Sequence, residues 1–324
     1  MLPVDNRWKF ADNIPYSWMK VLVDKLRPLA YPALAGPTLM VYSDYSGSTR
    51  DSRFETISFL FVDLAAARMW DGMRREVRAR FLPDYRRMGF KGLNDSHKRN
   101  ALPWFLRAAD HLHGFCCVIA VEKRVGKMCI REEMIPAITS GGILQSQWGG
   151  KSLERMLRVV NFLGILMAIL THPGQSIFWI SDEDEMFANP VKALDTKRML
   201  ECFTTAYIRH PLGEVGLGTT TIDEEDRFDE DCAAIPDLVA GSTAELVTSL
   251  VQEHGTLPDV PVQLQSLSRK SEIVTDWFFS SRSSLAKCGI LCSFKGQGHY
   301  QIGTWTLDDS LIERPPGIWM PLSK

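Results

Sequence analysis

Several features that narrow a function are scarce or missing in this chain of 324 residues. No stretch approaches the ~18 consecutive apolar residues of a membrane-spanning helix; Phe162 to Leu170 comes nearest and is too short. No Cys-x-x-Cys pair occurs among the 7 cysteines (Cys116, Cys117, Cys129, Cys202, Cys232, Cys288 and Cys292), and several of them lie in apolar runs. Buried free thiols are therefore expected, rather than a disulfide framework or a cysteine-ligated zinc. Net charge is only -2, which argues against a general polyanion-binding chain. Residues Met1 to Lys9 show no charged-then-apolar leader, and there is no internal repeat or low-complexity tract. These absences lead to the expectation of a cytoplasmic protein with no membrane partner.

What is present is the material of a large core. The composition is 45% hydrophobic and 10% aromatic, with 9 Trp, enough to bury a sizeable interior and far from the profile of a disordered chain. The small net charge hides local segregation. Residues 68 to 99 carry ten Lys or Arg against four acids, and residues 223 to 237 carry eight acids against Arg227 alone.

Hydrophobic patterning predicts a short amino-terminal helix near Trp18 to Leu26, then strands at Thr38 to Asp44 and Phe54 to Val62. The short connection between these strands implies antiparallel pairing. Trp70, Met73, Val77 and Phe81 recur at helical spacing within Ala65 to Phe81, which is expected to leave Arg74, Arg75 and Arg78 on a basic outer face. Asn94 or Ser96 is the expected cap of a helix running through His113, and Phe115 to Val121 the third strand. A long apolar helix at Lys151 to Leu170, a strand at Ser176 to Ser181, a helix at Pro190 to Ile208 and a strand at Glu214 to Thr220 follow. A closing helix holds Asp231 and Asp237, with Pro236 predicting a kink or a late start. Last come a helix near Ile273 to Ala286 and a hairpin of Gly289 to Phe294 with His299 to Thr306.

This order predicts an α/β fold: a ribonuclease H-like mixed five-stranded sheet flanked by helices. Residues 1–36 would form an N-terminal cap, 37–255 the main domain, and 256–324 a C-terminal helix and hairpin extension. Asp44 and Asp182 end the first and fourth strands, neighbours in such a sheet, so their carboxylates are expected at one edge, and Asp231 or Asp237 can face the same point. Clustered carboxylates repel unless a cation joins them. Two divalent ions about 4 Å apart are how such a cluster activates water and steadies a leaving phosphodiester oxygen. Mg²⁺ or Mn²⁺ suits these oxygen donors. Each acid also has a plainer account, Asp44 as a turn residue, Asp182 and Asp184 as helix caps, and Asp231 in a solvated acidic segment.

The motifs Tyr42-Ser43-Asp44-Tyr45-Ser46-Gly47, Phe90-Lys91-Gly92-Leu93, Ile180-Ser181-Asp182 and Ile235-Pro236-Asp237-Leu238-Val239-Ala240 together resemble the domain-of-unknown-function 3800 family over roughly residues 38 to 245. That resemblance implies a ribonuclease H-fold nuclease of prokaryotes and their mobile elements. Asp44, Asp182 and Asp237 would hold metal and Lys91 would contact phosphate or orient a ligand. The family tends to carry Glu two residues before this lysine, where Gly89 stands here. Either Asp95, Glu122, Asp184 or Asp231 would substitute, or the site would hold one ion poorly.

The leading expectation is thus a metal-dependent nuclease on DNA or RNA. Catalysis falls to Asp44, Asp182, Asp237 and Lys91, metal binding to these aspartates with Asp184 and Asp231, and strand binding to Arg74, Arg75, Arg78, Lys91, His97 and Lys98. The main alternative is a non-catalytic module of the same fold in a defence or mobile-element system, with a protein partner or a second copy of itself. An ATP-using actin-like or kinase-like protein is a weaker third, because no second Gly-rich phosphate loop accompanies Asp44 to Thr49. The segment Gly213 to Gly218 imitates part of a dinucleotide loop but lacks its final glycine.

Overall fold

The computed structural model describes residues 16–130, 142–182, 185–220, 226–257, 267–280, 283–296 and 299–305. Strands β1 (Thr38–Ser46), β2 (Phe54–Asp63), β3 (Gly114–Glu122), β4 (Ser176–Ser181), β5 (Val215–Thr219), β6 (Leu285–Gly296) and β7 (His299–Trp305) form one mixed sheet. Its strand order is β5-β4-β1-β2-β3-β6-β7. The sheet therefore has seven strands and not the five expected. The terminal hairpin is no appendage, because β6 pairs in parallel with β3 and β7 extends that edge.

Helices cover both faces. α1 (Ser17–Leu26), α4 (Gly150–Leu170) and α5 (Pro190–Tyr207) lie on one side, and α2 (Arg68–Phe81), α3 (Ser96–Ala109), α6 (Phe228–His254) and α7 (Arg269–Phe279) on the other. The two cores follow from strand alternation. Val41, Phe59, Phe61, Phe115, Cys117, Ile119 and Trp179 face α4, whereas Met40, Tyr42, Leu60, Val62, Cys116, Val118 and Ile180 face α6. With a core on each side, the central strands read as nearly unbroken apolar runs.

Several boundaries differ for local reasons. Asp95, not Asn94 or Ser96, caps α3, accepting from His97 N at 2.9 Å and Lys98 N at 3.2 Å. α6 runs through Pro236 as one helix of 27 residues instead of starting late. α7 ends at Phe279, and the segment expected to continue it becomes the start of β6. Parallel pairing with β3 supplies the backbone partners that Leu285 and Ala286 would otherwise have sought in a helix. By length and composition α6 could cross a bilayer, yet 78% of its most apolar window is buried inside this fold.

Candidate functional site

The register of β1 and β4 sets the geometry. These parallel strands pair Tyr42 with Ile180 and Ser43 with Ser181, so the next step brings Asp44 level with Asp182. Tyr42 and Ile180 belong to the core beneath α6, and side chains two positions apart share a face, so both aspartates project to the α6 side. Asp237 comes to the same place from the middle of α6. Asp44 and Asp237 are half-buried and Asp182 is exposed at the rim.

Electrostatics mark these acids as one group. Burial, and after it Asp237 and Asp182, push the Asp44 carboxyl well above the ordinary carboxylate range, against the pull of the Tyr45 N–H and Lys91. Burial and Asp182 likewise raise Asp237, while the Phe90 N–H, Lys91 and Lys270 oppose the rise. Asp237 is oriented by its neighbour segment, since Phe90 N donates to its Oδ2 at 2.8 Å. Lys91 stands exposed on the 3-10 turn Phe90–Asn94 beside them.

Gly89 belongs to this site by direction. A Cβ built there would lie 2.8 Å from Asp237 Oδ2 with no other atom within 4 Å, so a side chain at 89 would point at the acid cluster. Its backbone is extended, φ 174° and ψ 150°, a conformation open to any residue. Described acids do not fill the gap. Asp95 caps α3 and pairs with Arg86 at 2.6 Å. Glu122 is buried against Arg124 and Arg53 and accepts from Phe294 N at 2.8 Å. Asp184 lies outside the described residues.

Asp231 and the basic helix are corrections. Asp231 is fully buried and receives Arg78 Nε and Nη2 at 2.6 Å each, with Arg74 Nη1 at 3.3 Å. In this fold it is the acid of a buried ion pair shared by both arginines, instead of a member of a solvated segment. Arg74 is 0% exposed and Arg78 9% exposed, so neither can meet a nucleic-acid strand. Arg75 is exposed but engaged with Asp71 and Asp226, and Arg87 is held by Glu230 at 2.6 Å. Arg74, Arg75, Arg78 and Arg87 are thus paired with Asp226, Glu230 and Asp231 across α2 and the start of α6. Helical spacing located the apolar face of α2 through Trp70 and Val77, but it carried no information that carboxylates from a helix far along the chain would draw the adjoining arginines inward.

His97 and Lys98 remain on the first turn of α3, His97 exposed and Lys98 half-buried against Gly92, where an added Cβ would meet Lys98 Nζ at 2.7 Å. Sequence reasoning missed Lys270. Its Nζ sits 4.2 Å from the centroid of the Phe90 ring and 3.4 Å from Phe90 O. It also missed Gly241 of α6, where an added Cβ would come within 2.3 Å of that same ring. A lone glycine in an apolar helix was the available signal for close packing.

Oxygen donors of this type fit a hard divalent cation, but among the described residues no group of three or more His, Cys, Asp or Glu is arranged to hold one. The acids share a rim and a field without forming a closed coordination shell. The chain matches no protein-family model, and no curated protein matches it.

Proposed function

We propose that the protein is a divalent-metal-dependent phosphodiesterase acting on nucleic acid, with Asp44, Asp182 and Asp237 as its carboxylates. One observation carries this reading: the β1–β4 register sets Asp44 and Asp182 abreast on the α6 face, with Asp237 close enough that its charge and that of Asp182 raise the Asp44 carboxyl. Mutually repelling, partly buried acids cost stability, and groups so perturbed gather where chemistry needs them. The strand order β5-β4-β1-β2-β3, with α6 packed on it, is compatible with a ribonuclease H-like core carrying β6 and β7 as additions. It agrees with the short motifs that resemble the 3800 family.

Mg²⁺ or Mn²⁺, when bound, would supply water activation and stabilisation of the leaving oxygen. The protein's own groups would do the rest. Asp44 and Asp182 offer adjacent oxygens from a rigid sheet rim, and Asp237 is held in place by the Phe90 N–H. Lys91 would offset the charge of the phosphate. Burial behind Asp44 and Asp237 strengthens each of these interactions by lowering the local dielectric.

The test is cleavage of single-stranded and duplex DNA and RNA by purified protein with Mn²⁺ and with chelator. Cutting of at least one form is expected, abolished by chelator and reduced about a hundredfold or more in Asp44→Asn. An unchanged rate in that variant would sink the assignment.

Gly89 and the open arrangement of the acids favour a second reading, a non-catalytic module of this fold within a prokaryotic defence or mobile-element complex, working through a protein partner or self-association. Cleavage of no nucleic acid, with partner binding intact in Asp44→Asn, would select it. All seven cysteines are free, which agrees with a reducing cytoplasm under either reading.

A further inference from the structure

The segment through Phe90 is gripped from both ends. Its N–H donates to Asp237, and its carbonyl accepts from Lys270, whose ammonium also rests on the Phe90 ring. The ring is seated in turn on Gly241 of α6, where no side chain larger than hydrogen fits without displacing it. α7 presents Lys270 from a fixed first turn: Ser268 N and Ser271 Oγ both donate at 2.8 Å to Glu245 of α6. Lys270 thus stands beside the acid cluster on packed helices, not on a loose arm.

Its bonding within the fold is slight for a cation held so firmly. An ammonium has three donors, and the hydrogen bond to Phe90 O is long at 3.4 Å. No ion pair among the described residues joins it to Asp237, although its charge acts on that carboxylate. A ring face keeps a lysine oriented while leaving its protons to be shared.

We propose that Lys270 is a phosphate-binding residue of the candidate site: with Lys91 it makes a pair of cations that hold the backbone phosphates of a nucleic-acid strand against Asp44, Asp182 and Asp237. The inference rests on the phosphodiesterase reading and adds to it a residue from outside strands β1 to β5 and α6. Arg74, Arg75 and Arg78, committed to the acids of α6 and its approach, are replaced in this role.

The experiment measures binding of a fluorescein-labelled single strand, DNA and RNA separately, to Asp44→Asn protein across a salt series, so that nothing is cut. The same binding is then measured with Lys270→Gln and with Lys270→Arg added. Lys270→Gln is expected to weaken binding roughly tenfold and to make the slope of log affinity against log salt shallower by about 0.7, the share of one phosphate contact on a single strand. Lys270→Arg should recover most of both. Thermal unfolding of each variant runs alongside. Unchanged affinity and slope in Lys270→Gln would overturn the proposal. So would a lowered melting temperature with weakened binding but an unaltered slope, which marks a structural strut. If the Asp44→Asn parent binds no strand of either kind, and the wild-type protein cuts none, the phosphodiesterase reading itself falls and takes this role with it. Cleavage by wild type with an unaffected Lys270→Gln removes only the lysine.

Discussion

Asp44→Asn gives the sharpest separation of a site from a scaffold, because the two make opposite predictions about stability. Asp44 has a carboxyl raised in the folded state, first by burial and then by Asp237 and Asp182. A folded pKa above the unfolded one favours the native state while the group is protonated. That contribution is complete below the unfolded value of about 3.9 and is lost as pH climbs through the folded pKa, at about 1.4 kcal/mol per unit of difference. At any pH above the folded pKa the protein therefore carries the full cost of the charge. Asparagine keeps the acceptor oxygen for the Tyr45 N–H and removes that charge.

A buried group left unmatched costs on the order of 1–3 kcal/mol, and the partial exposure of Asp44 sets the expectation at the lower end. Asp44→Asn should thus be more stable than wild type by about 1–2 kcal/mol in urea unfolding at pH 7 without divalent ions, with the difference shrinking towards pH 4. Added Mn²⁺ should reverse the order. A hundredfold excess over the dissociation constant stabilises wild type by about 2.7 kcal/mol, and the variant should gain much less. A variant less stable than wild type without metal, or one gaining as much from Mn²⁺, would refute the claim that these acids form a strained cation site.

Asp231→Asn leaves Arg74 and Arg78 buried against a neutral group and should cost about 3–5 kcal/mol in unfolding free energy, while cleavage per folded molecule stays at the wild-type rate. Loss of cleavage without loss of stability would restore Asp231 to the site. Gly89→Glu, allowed by an extended backbone and aimed at Asp237, should destabilise the metal-free protein yet shift the Mn²⁺ titration, read by thermal unfolding, to lower concentration; an unmoved titration would remove position 89 from the site. Gly241→Ala drives a methyl into the Phe90 ring and should cost about 1–3 kcal/mol while weakening nucleic-acid binding, checked by urea unfolding and by fluorescence anisotropy. Neutral behaviour in both would mean that Phe90 is free to move.

Sequence alone determined the pieces that depend on local pattern. The alternation and apolar runs of β1, β2, β3 and β4 sufficed for those strands, because a strand buried on both faces leaves little else for such residues to do. That Asp44 and Asp182 are neighbours was legible for the same reason, since a parallel β1–β4 pair sets them abreast; Asp44 does not end its strand as expected, because pairing with β2 carries β1 on to Ser46. Tertiary structure decided what depends on distant partners. Arg74 and Arg78 looked like a solvated basic face until the acids of α6, far along the chain, turned inward to meet them, and Asp231 ceased to be a candidate ligand by the same contact. Leu285 and Ala286 looked like the end of a helix until the open edge of β3 drew them into the sheet. Lys270 was silent in sequence, for a lysine on a first helical turn is ordinary until the packing of α7 on α6 stands it over Phe90 and beside Asp237. Charge is the long-range part of the design: spacing can say which face of a helix is apolar, but only the folded chain says which charges cancel and which remain to bind something else.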